Sequence, residues 1–274
     1  MQFLINRDAL LKPLQMVSGA IERRHNLPIL SNVLLDVTAD TLSLTGTDLE
    51  VELVASTEQL QIQSPGRITV PAKKLLDICR SLPEQSDIQV AVQGENCVLT
   101  SGKSKFTLST LSAAEYPNLE SWQGEVEINL SRQQLRKLLE DTAFSMANQD
   151  VRYYLNGLLF EVDNGTLTAV ATDGHRLAMS TLALPAVSGQ QKQIIIPRKG
   201  VLEIMRLLAN DEQQVSLSLG QNHIRLTDSS FSFSSKLIDG RFPDYRRVLP
   251  RNSTKLVTAH RAVLKDACIR ASIL

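Results

Sequence analysis

Apolar residues follow two spacings along the chain, one typical of strands and one of helices. Residues 42–54, "LSLTGTDLEVELV", are an example of the alternating pattern that predicts half-buried strands, with Leu42 and Leu44 on one face and polar residues on the other. Helices are predicted after Asn6 and Ser131, because each side chain can cap the residues that follow it. Two more are predicted to start at Pro71 and Pro197, where a missing N–H costs no hydrogen bond. The pattern therefore indicates an α+β protein.

The predicted elements recur at a nearly constant offset, which indicates a tandem duplication. "TLSLTGTDLE" at 41–50 matches "TLTAVATDGH" at 166–175, an offset of 125 residues. "VPAKKLLDICRSL" at 70–82 matches "IPRKGVLEIMRLL" at 196–208, an offset of 126 residues. Each copy is expected to contain two helices and about eight mostly antiparallel strands. Pro13 falls inside the first helical pattern and predicts a kink or a late helix start there.

The end of the chain, residues 255–274, begins the pattern again. "LVTAHRAVLKDACIRAS" at 256–272 overlays "EINLSRQQLRKLLEDTA" at 127–143, an offset of 129 residues. This match predicts a short strand at 256–258 followed by an amphipathic helix. We expect a third copy to begin here, with on the order of 100 residues of it missing. Its helix is expected to be poorly packed or held by a neighbouring molecule.

Composition narrows the class of protein. Of the 274 residues, 43% are hydrophobic and only 4% are aromatic, which predicts cores built mainly from Leu, Ile and Val. No apolar run approaches the ~20 residues of a membrane span, and no secretory signal is visible. Cys79, Cys97 and Cys268 have no metal-site or disulfide spacing and suit a reducing cytosol. The net charge is zero, so nucleic acid would have to be held by a local basic patch.

Six motifs resemble a known family. "LTGTDLE", "VPAKK", "DVRYYLNG", "TDGHRLA", "IPRKG" and "DGRFPDYRRVLP" are similar in wording, order and spacing to the bacterial DNA polymerase III β subunit, the sliding clamp. The resemblance implies tandem clamp domains of α+β type, here at 1–125 and 126–253, with the beginning of a third at 254–274. It also implies that two full-length chains close head to tail into a homodimeric ring of six domains, with helices lining the hole.

The function implied by the resemblance is that of a non-catalytic processivity subunit in the bacterial cytoplasm, associated with the nucleoid during replication. Its implied partners are duplex DNA, along which it slides, and proteins that dock through linear peptide motifs. Those proteins are replicative and translesion polymerases, the clamp loader and repair proteins. No cofactor, metal or membrane partner is expected. Two alternatives stay open: a two-domain paralogue that docks peptides without encircling DNA, and an enzyme with a substrate in the repeat cleft.

A sliding protein requires a few weak, salt-sensitive phosphate contacts and no reading of bases. Basic residues at helix starts and the basic-aromatic run "RYY" can make such phosphate contacts. The tyrosines of "RYY" can also stack on an exposed base. The expected DNA-contacting residues are Arg24, Lys73, Gln149, Tyr153, Tyr154, Arg198 and Lys199, of which Arg24, Gln149, Tyr153 and Tyr154 are implied by the resemblance. The alternatives are ordinary solvated helix ends and, if the two tyrosines are adjacent on a strand, a core position for one of them.

The stretch "ATDGHRLA" brings Asp173 close to His175, which invites a catalytic interpretation. Neighbours two apart on a strand share a face without forming a triad, and the first copy has Glu50 in place of His175, so no enzyme is expected. The resemblance implies instead a hydrophobic pocket for partner peptides, completed by the third domain. Its implied residues are Leu155, Thr172, Gly174, His175, Arg176, Leu177, Pro243 and Val248. For Leu155, Leu177 and Val248, plain core positions are the alternative.

The resemblance also implies a ring-closing contact between the first domain of one chain and the third domain of its partner. Its implied residues are Lys74, Ile78, Leu82, Phe106 and Leu108 on the first face, and Ile273 and Leu274 on the opposite face. Ile78 and Leu82 are four residues apart and share one side of a helix. Because their repeat mates Ile204 and Leu208 are also apolar, packing against the helix's own core is an alternative. The chain as it stands is not expected to close a ring.

Overall fold

The computed structural model describes residues 1–22, 27–117, 122–184, 191–209, 211–250 and 254–273. Its first compact unit, Met1–Arg241, contains both copies of the repeat. The first copy comprises strands β1 (Gln2–Asn6), β2 (Asn32–Val37), β3 (Leu42–Thr47), β4 (Val51–Thr57), β5 (Leu60–Ser64), β6 (Gly66–Pro71), β7 (Asp87–Gln93), β8 (Asn96–Ser101) and β9 (Ser104–Ser109), and helices α1 (Arg7–Val17) and α2 (Ala72–Ser81). The second comprises strands β10 (Val126–Ser131), β11 (Gly157–Asp163), β12 (Thr166–Thr172), β13 (Leu177–Ala183), β14 (Lys192–Pro197), β15 (Gln214–Leu219), β16 (His223–Thr227) and β17 (Phe231–Lys236), and helices α3 (Arg132–Glu140) and α4 (Arg198–Leu207).

The helices form where the sequence supplies a cap and an apolar stripe. The Asn6 side chain accepts a backbone N–H at the start of α1, and Ser131 begins a full capping box in α3. Pro71 and Pro197 occupy the N-cap positions of α2 and α4, one residue before each helix. One face of each helix is apolar because buried residues recur at intervals of three and four. In α2 these residues are Ala72, Leu75, Leu76 and Cys79.

The alternating stretch 42–54 forms two strands, β3 and β4, which pair as a hairpin. The Asp48 carboxylate makes the turn by accepting the backbone N–H groups of Glu50 (3.0 Å) and Val51 (2.7 Å). Leu49 takes the left-handed conformation (φ 77°) that the turn requires. The apolar residues change from even to odd positions across 45–48, and this change of phase coincides with the turn.

Three other local expectations can be compared with the structure. Tyr153 and Tyr154 lie in a short 3₁₀ turn, so the condition for the core alternative, adjacency on a strand, is not met. Asp173 and His175 lie in the turn between β12 and β13, because the Asp173 carboxylate accepts the backbone N–H of His175 (2.9 Å) and ends the strand. Helix α1 begins at Arg7 with Pro13 inside it, so there is no late start; the side-chain cap fixes the beginning of the helix. A kink at Pro13 stays a prediction.

Antiparallel pairing organises the strands into three sheets. Their orders are β5-β1-β7-β8-β9, then β10-β15-β16-β17-β4-β3-β2-β6, and β13-β12-β11-β14. The eight-stranded sheet crosses from one copy to the other, because β17 pairs with β4 and places Phe233 opposite Leu53. With two helices and eight or nine mostly antiparallel strands in each copy, the predicted α+β repeat is confirmed.

The core follows from this arrangement. A single cluster of buried apolar side chains extends through both copies and includes Phe3, Leu14, Leu53, Phe160 and Phe233, each no more than 1% exposed. Leu53 and Phe233 stand opposite each other where the copies join, so the junction is part of the core. Few aromatic residues contribute, as the composition predicts.

Two polar contacts reinforce the junction between the copies. Lys199, in the first turn of α4, forms an ion pair with the buried carboxylate of Asp48 in the β3–β4 turn. Arg206, in the last turn of α4, donates to the backbone carbonyls of Gln15 (3.2 Å) and Met16 (2.5 Å) at the end of α1. The last carbonyls of a helix have no partner within it, and they carry the negative end of the helix dipole. Helix α4 of the second copy thus caps helix α1 of the first.

The second compact unit, Phe242–Leu274, contains a 3₁₀ turn at Tyr245–Arg247 and helix α5 (Arg261–Ala271). All described residues from 254 to 273 are exposed, and α5 buries none of its side chains. The structure assigns no strand at 256–258, so the strand predicted there is wrong; nothing described pairs with this segment. The predicted helix is present, and its lack of packing is as expected.

Replacing Arg206 should loosen the junction. In Arg206→Met the α1 carbonyls lose their charged donor, and we expect unfolding to become easier by about 1 kcal/mol, measured by urea denaturation. The matched control is Arg67→Met, which breaks only the half-exposed Arg67–Asp36 pair and should change stability by less than about 0.5 kcal/mol. Equal stability losses in the two variants would contradict a capping role for Arg206.

Candidate functional sites

The β12–β13 turn, which carries most of the implied pocket, is built like the β3–β4 turn of the first copy. In both turns, the Thr hydroxyl accepts the backbone N–H of the residue two positions later and donates to the backbone carbonyl of the residue four positions later. The Asp carboxylate of each turn accepts two further backbone N–H groups. Gly174 (φ 90°) stands where the first copy has Leu49, and the turn requires that positive φ. The same turn therefore serves both copies.

The surroundings of the two turns differ. Asp48 is 6% exposed, because the second copy covers it and Lys199 pairs with it. In the second copy Asp173 pairs instead with Arg176 of its own turn (3.0 Å), and Gly174, His175 and Arg176 are exposed. The second turn is thus the open counterpart of a surface that is closed in the first copy.

The pocket candidates in the first compact unit lie partly on this open turn. Thr172 and Leu177 are half-buried at its two ends, and Leu155 is buried (2% exposed), which agrees with the core alternative for Leu155. Apolar side chains that the sequence reasoning missed lie on neighbouring segments: Phe144 is 58% exposed beneath the Arg176 guanidinium (5.7 Å to its ring centre), and Met179 is 45% exposed on β13. Exposed apolar surface of this kind is typical of a docking site.

Arg152 joins the tyrosine turn to the open turn. Its guanidinium binds the Asp150 carboxylate through two nitrogens (2.8 and 3.0 Å) and donates to the Asp173 carbonyl (3.2 Å). These contacts to Arg152 hold the pKa of Asp150 at about 2, below its ordinary value of 3.8. The Asn156 amide clamps the same loop by bonding both the N–H and the carbonyl of Asp150 (2.9 and 2.8 Å). The two candidate surfaces are therefore held in one fixed loop system.

The DNA candidates of the second copy cluster around this loop. Gln149 is exposed with a positive φ (59°), and Tyr153 is 56% exposed with its ring edge-on to the half-buried Tyr154. Arg198, at the start of α4, donates its side chain to the Met146 carbonyl (3.3 Å) and its backbone N–H to the Asn156 carbonyl. The structure thus brings Gln149, the tyrosines and Arg198 to one loop system, although the sequence places them up to fifty residues apart.

The other DNA candidates are placed differently. Lys199 is committed to the ion pair with Asp48, so in this structure it stabilises the junction rather than presenting a solvated charge. Lys73, its counterpart in the first copy, is exposed on α2 and stays a candidate. Arg24 lies outside the described residues.

The ring-closing candidates of the first copy lie on α2 and β9. Lys74 is exposed, and Ile78 is partly buried one turn further along the same helix. Leu82 (8% exposed) belongs to the core, which agrees with the own-core alternative; Leu108 (5% exposed) also belongs to the core, while Phe106 is only partly buried.

Four candidates belong to the second compact unit, and three of them are described by the structure. Pro243 is exposed, Val248 is 68% exposed and Ile273 is 77% exposed. Within the described part of the chain, Val248 is therefore not a core residue, in contrast to the core alternative. Leu274 lies outside the described residues.

Two sheet edges stand out because their counterparts in the repeat are paired. β4 and β17 pair with each other, whereas the outer edges of β13, which corresponds to β4, and of β9, which corresponds to β17, are unpaired in the described part of the chain. Edges β6 and β14 are each covered by a later segment, through Leu111 and Ile238 respectively. The segment that corresponds to β5 in the second copy falls on 185–190, outside the described residues. An exposed edge is a template for another strand.

The described residues contain no site that supports catalysis. His175 meets Asp173 through its backbone N–H rather than its ring. No group of three or more His, Cys, Asp or Glu side chains among these residues is arranged to hold a metal. Burial raises the pKa of the Cys79 and Cys97 thiols to about 12 and 11, which keeps them protonated and unreactive. Among the described helices, none has both the length and the apolar character needed to cross a membrane.

Comparison with known proteins identifies relatives over the whole chain. Two family descriptions match: "DNA polymerase III beta subunit, N-terminal domain" at residues 1–120 and "central domain" of the same subunit at residues 129–244. The chain is 53% identical to the "Beta sliding clamp" of Pseudomonas putida and 52% identical to that of Escherichia coli, over 100% of this chain and 75% of each relative.

Solved structures give the same result. The crystal structure of the DNA polymerase III subunit beta from Pseudomonas aeruginosa matches with a TM-score of 0.97 at 53% identity, covering 100% of this chain and 75% of that one. The same clamp bound to griselimycin matches with a TM-score of 0.96 at 53% identity, over 100% of this chain and 74% of that one. The sliding clamp of Caulobacter crescentus matches with a TM-score of 0.93 at 37% identity, over 100% and 75%.

The hydrogen bonds of the open turn predict how Asp173 titrates. The N–H groups of His175 and Arg176 hold the pKa of Asp173 at about 2, below its ordinary value of 3.8. Because the folded-state pKa is lowered, the stabilising effect is full above the ordinary value and is lost as the pH falls towards 2. Carboxyl-carbon NMR of Asp173 should show a midpoint near 2; a midpoint near the ordinary value of 3.8 would contradict the turn geometry.

Proposed function

The chain belongs to the DNA polymerase III beta subunit family, the beta sliding clamps, and we propose that it encircles duplex DNA and tethers the replicative polymerase to its template. The family supplies a processivity factor and not a catalyst. The site of action is then the bacterial cytoplasm, on replicating DNA of the nucleoid.

The observation that carries this proposal is the edge pairing of β4 with β17. It joins consecutive copies in a fixed head-to-tail orientation, and a heterologous contact of this kind generates a ring when its rotation closes. Each further junction would need one strand of the β4 type and one of the β17 type. The chain offers one of each, β13 and β9, at unpaired edges.

The exposed side chains of β13 agree with such a junction. Met179 corresponds to Val54 of β4; Val54 is half-buried opposite Ser232 of the second copy, whereas Met179 is 45% exposed. We propose that β13 pairs with the β17-type strand of a third copy, and that β9 pairs with the β4-type strand of the third copy in a partner chain. A ring of two chains with three copies each then pairs every edge of the β4 and β17 types. This family-based assignment favours the clamp over a two-domain adaptor.

A ring explains how a chain of zero net charge can stay on DNA without strong electrostatic binding. Once DNA is held topologically, weak contacts to phosphates suffice, and strong ones would hinder sliding. We propose that Lys73, Arg198, Gln149 and the two tyrosines provide these contacts, together with Arg24. Tyr153 is the residue best placed to stack on an unpaired base, because more than half of its surface is exposed.

The open β12–β13 turn is proposed as the docking site for peptide segments of polymerases, the clamp loader and repair proteins. Its support is the exposed turn beside Phe144, Met179 and Leu177, in a copy whose counterpart surface is closed by the next copy. A shallow apolar site that binds flexible peptides gives modest affinity and rapid exchange, as a shared hub requires. The griselimycin complex of the Pseudomonas aeruginosa clamp supplies a probe.

Topology tests the clamp directly. Chains that include a complete third copy, loaded onto nicked circular DNA, should remain bound during gel filtration at high salt and should be released when the DNA is cut once. The release has a physical reason: a ring held by enclosure slides off a free end, whereas phosphate contacts would already be lost at high salt. Retention on linear DNA, or loss from the circle at high salt, would contradict encirclement.

Griselimycin tests the docking site. A carboxylate placed at Leu177, which is half-buried at the end of the open turn, would have to be desolvated in an apolar site, so Leu177→Asp should weaken griselimycin binding by about tenfold or more in calorimetry. The control is Val151→Asp, which places the same charge at a residue that is 96% exposed on the neighbouring loop. Equal affinities for the wild type and Leu177→Asp would remove Leu177 from the site.

A further inference from the structure

We propose that Arg80 binds the C-terminal carbonyls of helix α5 in a second copy of this chain. The inference deepens the proposed function and rests on it, because it names a contact of the ring-closing junction. The inference follows from the repeat. The structure shows one junction between copies, in which an arginine binds the end of a helix. The repeat supplies a second arginine and a second helix end that do not bind each other within the described chain.

The visible junction is the cap that α4 places on α1. Arg206 donates to the carbonyls of Gln15 and Met16, and Glu203 holds its guanidinium from one turn earlier (2.7 Å). The Ser18 hydroxyl also donates to the Gln15 carbonyl (2.7 Å), which completes the end of the helix. A cation at a helix C-terminus is favourable because the last carbonyls there lack partners.

The donor half has a counterpart in the first copy. Arg80 lies 126 residues before Arg206, in the last turn of α2, and Asp77 stands where α4 has Glu203. Arg80 is exposed and forms no hydrogen bond or ion pair within the described ranges of the chain. The first copy therefore presents a capping arginine with nothing to cap.

The acceptor half has a counterpart in α5. Ser272 lies 254 residues after Ser18, and its hydroxyl donates to the Ile269 carbonyl (2.9 Å) as that of Ser18 does to Gln15. At the same offset, Ile269 and Arg270 correspond to Gln15 and Met16. The buried stripe of α1 is also reproduced in α5, in which the matching residues are Leu264, Ala267, Cys268 and Ala271. Helix α5 thus ends as α1 does.

Two differences between the visible junction and its counterparts in α2 and α5 favour a contact between α2 and α5. In the visible junction, a Cβ at Gly19 would collide with Glu203 and Arg206. The counterpart of Gly19 in α5 is the much larger Ile273. The counterpart of Glu203 in α2 is the shorter Asp77, which leaves room for the isoleucine. Lys12, which lines the cavity of about 400 Å³ that Arg206 also lines, is replaced in α5 by Asp266. A carboxylate at that position would face Arg80 and strengthen the contact. Both changes favour a junction between α2 and α5.

Cross-linking tests the contact in the chain as it stands, with the exposed Cys268 replaced by Ser; the buried Cys79 and Cys97 should not react. Chains carrying Arg80→Cys are mixed with chains carrying Ser272→Cys and treated with a short bismaleimide. We expect at least about fivefold more covalent heterodimer than from the matched mixture of Arg206→Cys with Ser272→Cys, because Arg206 is already engaged within its own chain. Equal yields would overturn the proposal, as would a cross-link formed only within one doubly substituted chain.

Self-association gives a second readout. Arg80→Met should weaken it by about tenfold in sedimentation velocity, with Arg80→Lys between that variant and the wild type, while Arg67→Met leaves it unchanged. An unchanged association constant for Arg80→Met overturns the contact, even where the wild-type protein is retained on circular DNA and the clamp function stands. A cross-link between Arg80→Cys and Ser272→Cys chains, together with loss of the wild-type protein from circular DNA, contradicts the clamp function and leaves the contact intact.

Discussion

The antiparallel pairing of β4 with β17 is the constraint on which the rest of the structure depends. It fuses two sheets from different copies into one of eight strands and buries Leu53 against Phe233. Once the edges are joined, the position of α4 is set, so Arg206 meets the end of α1 and Lys199 meets Asp48. The backbone pairing gives the direction of assembly, and the polar contacts fix its register.

The same constraint explains how one duplicated turn performs two tasks. In the first copy the next copy covers the turn, and its aspartate receives a lysine from across the junction. In the second copy the identical hydrogen-bond pattern leaves Gly174, His175 and Arg176 exposed beside apolar side chains. Small changes in sequence suffice for this change of role, because the backbone geometry is already provided by the Thr-Asp pair. Duplication thus supplies a closed joint at one position and an open docking surface at the other.

The sequence predicts the repeat, the α+β class and the caps at Asn6 and Ser131, because each of these depends on local spacing. It does not predict the left-handed backbone of Leu49 in the β3–β4 turn, because that conformation is uncommon for a residue other than glycine. The pairing of Lys199 is also hidden, since its partner lies 151 residues away and belongs to the other copy. The exposure of Phe144 carries no sequence signal either. Contacts between copies are therefore the part that only the structure supplies.

Hydrogen exchange at the sheet edges tests the central claim most directly, because it reports strand pairing itself. In protein loaded on circular DNA, amides of β9 and β13 should exchange as slowly as those of β4 and β17, while in the free chain at low concentration they should exchange much faster. This protection should disappear when the DNA is cut and the protein is released. If β9 and β13 exchange rapidly while the protein is still retained on the circle, edge pairing does not close the ring.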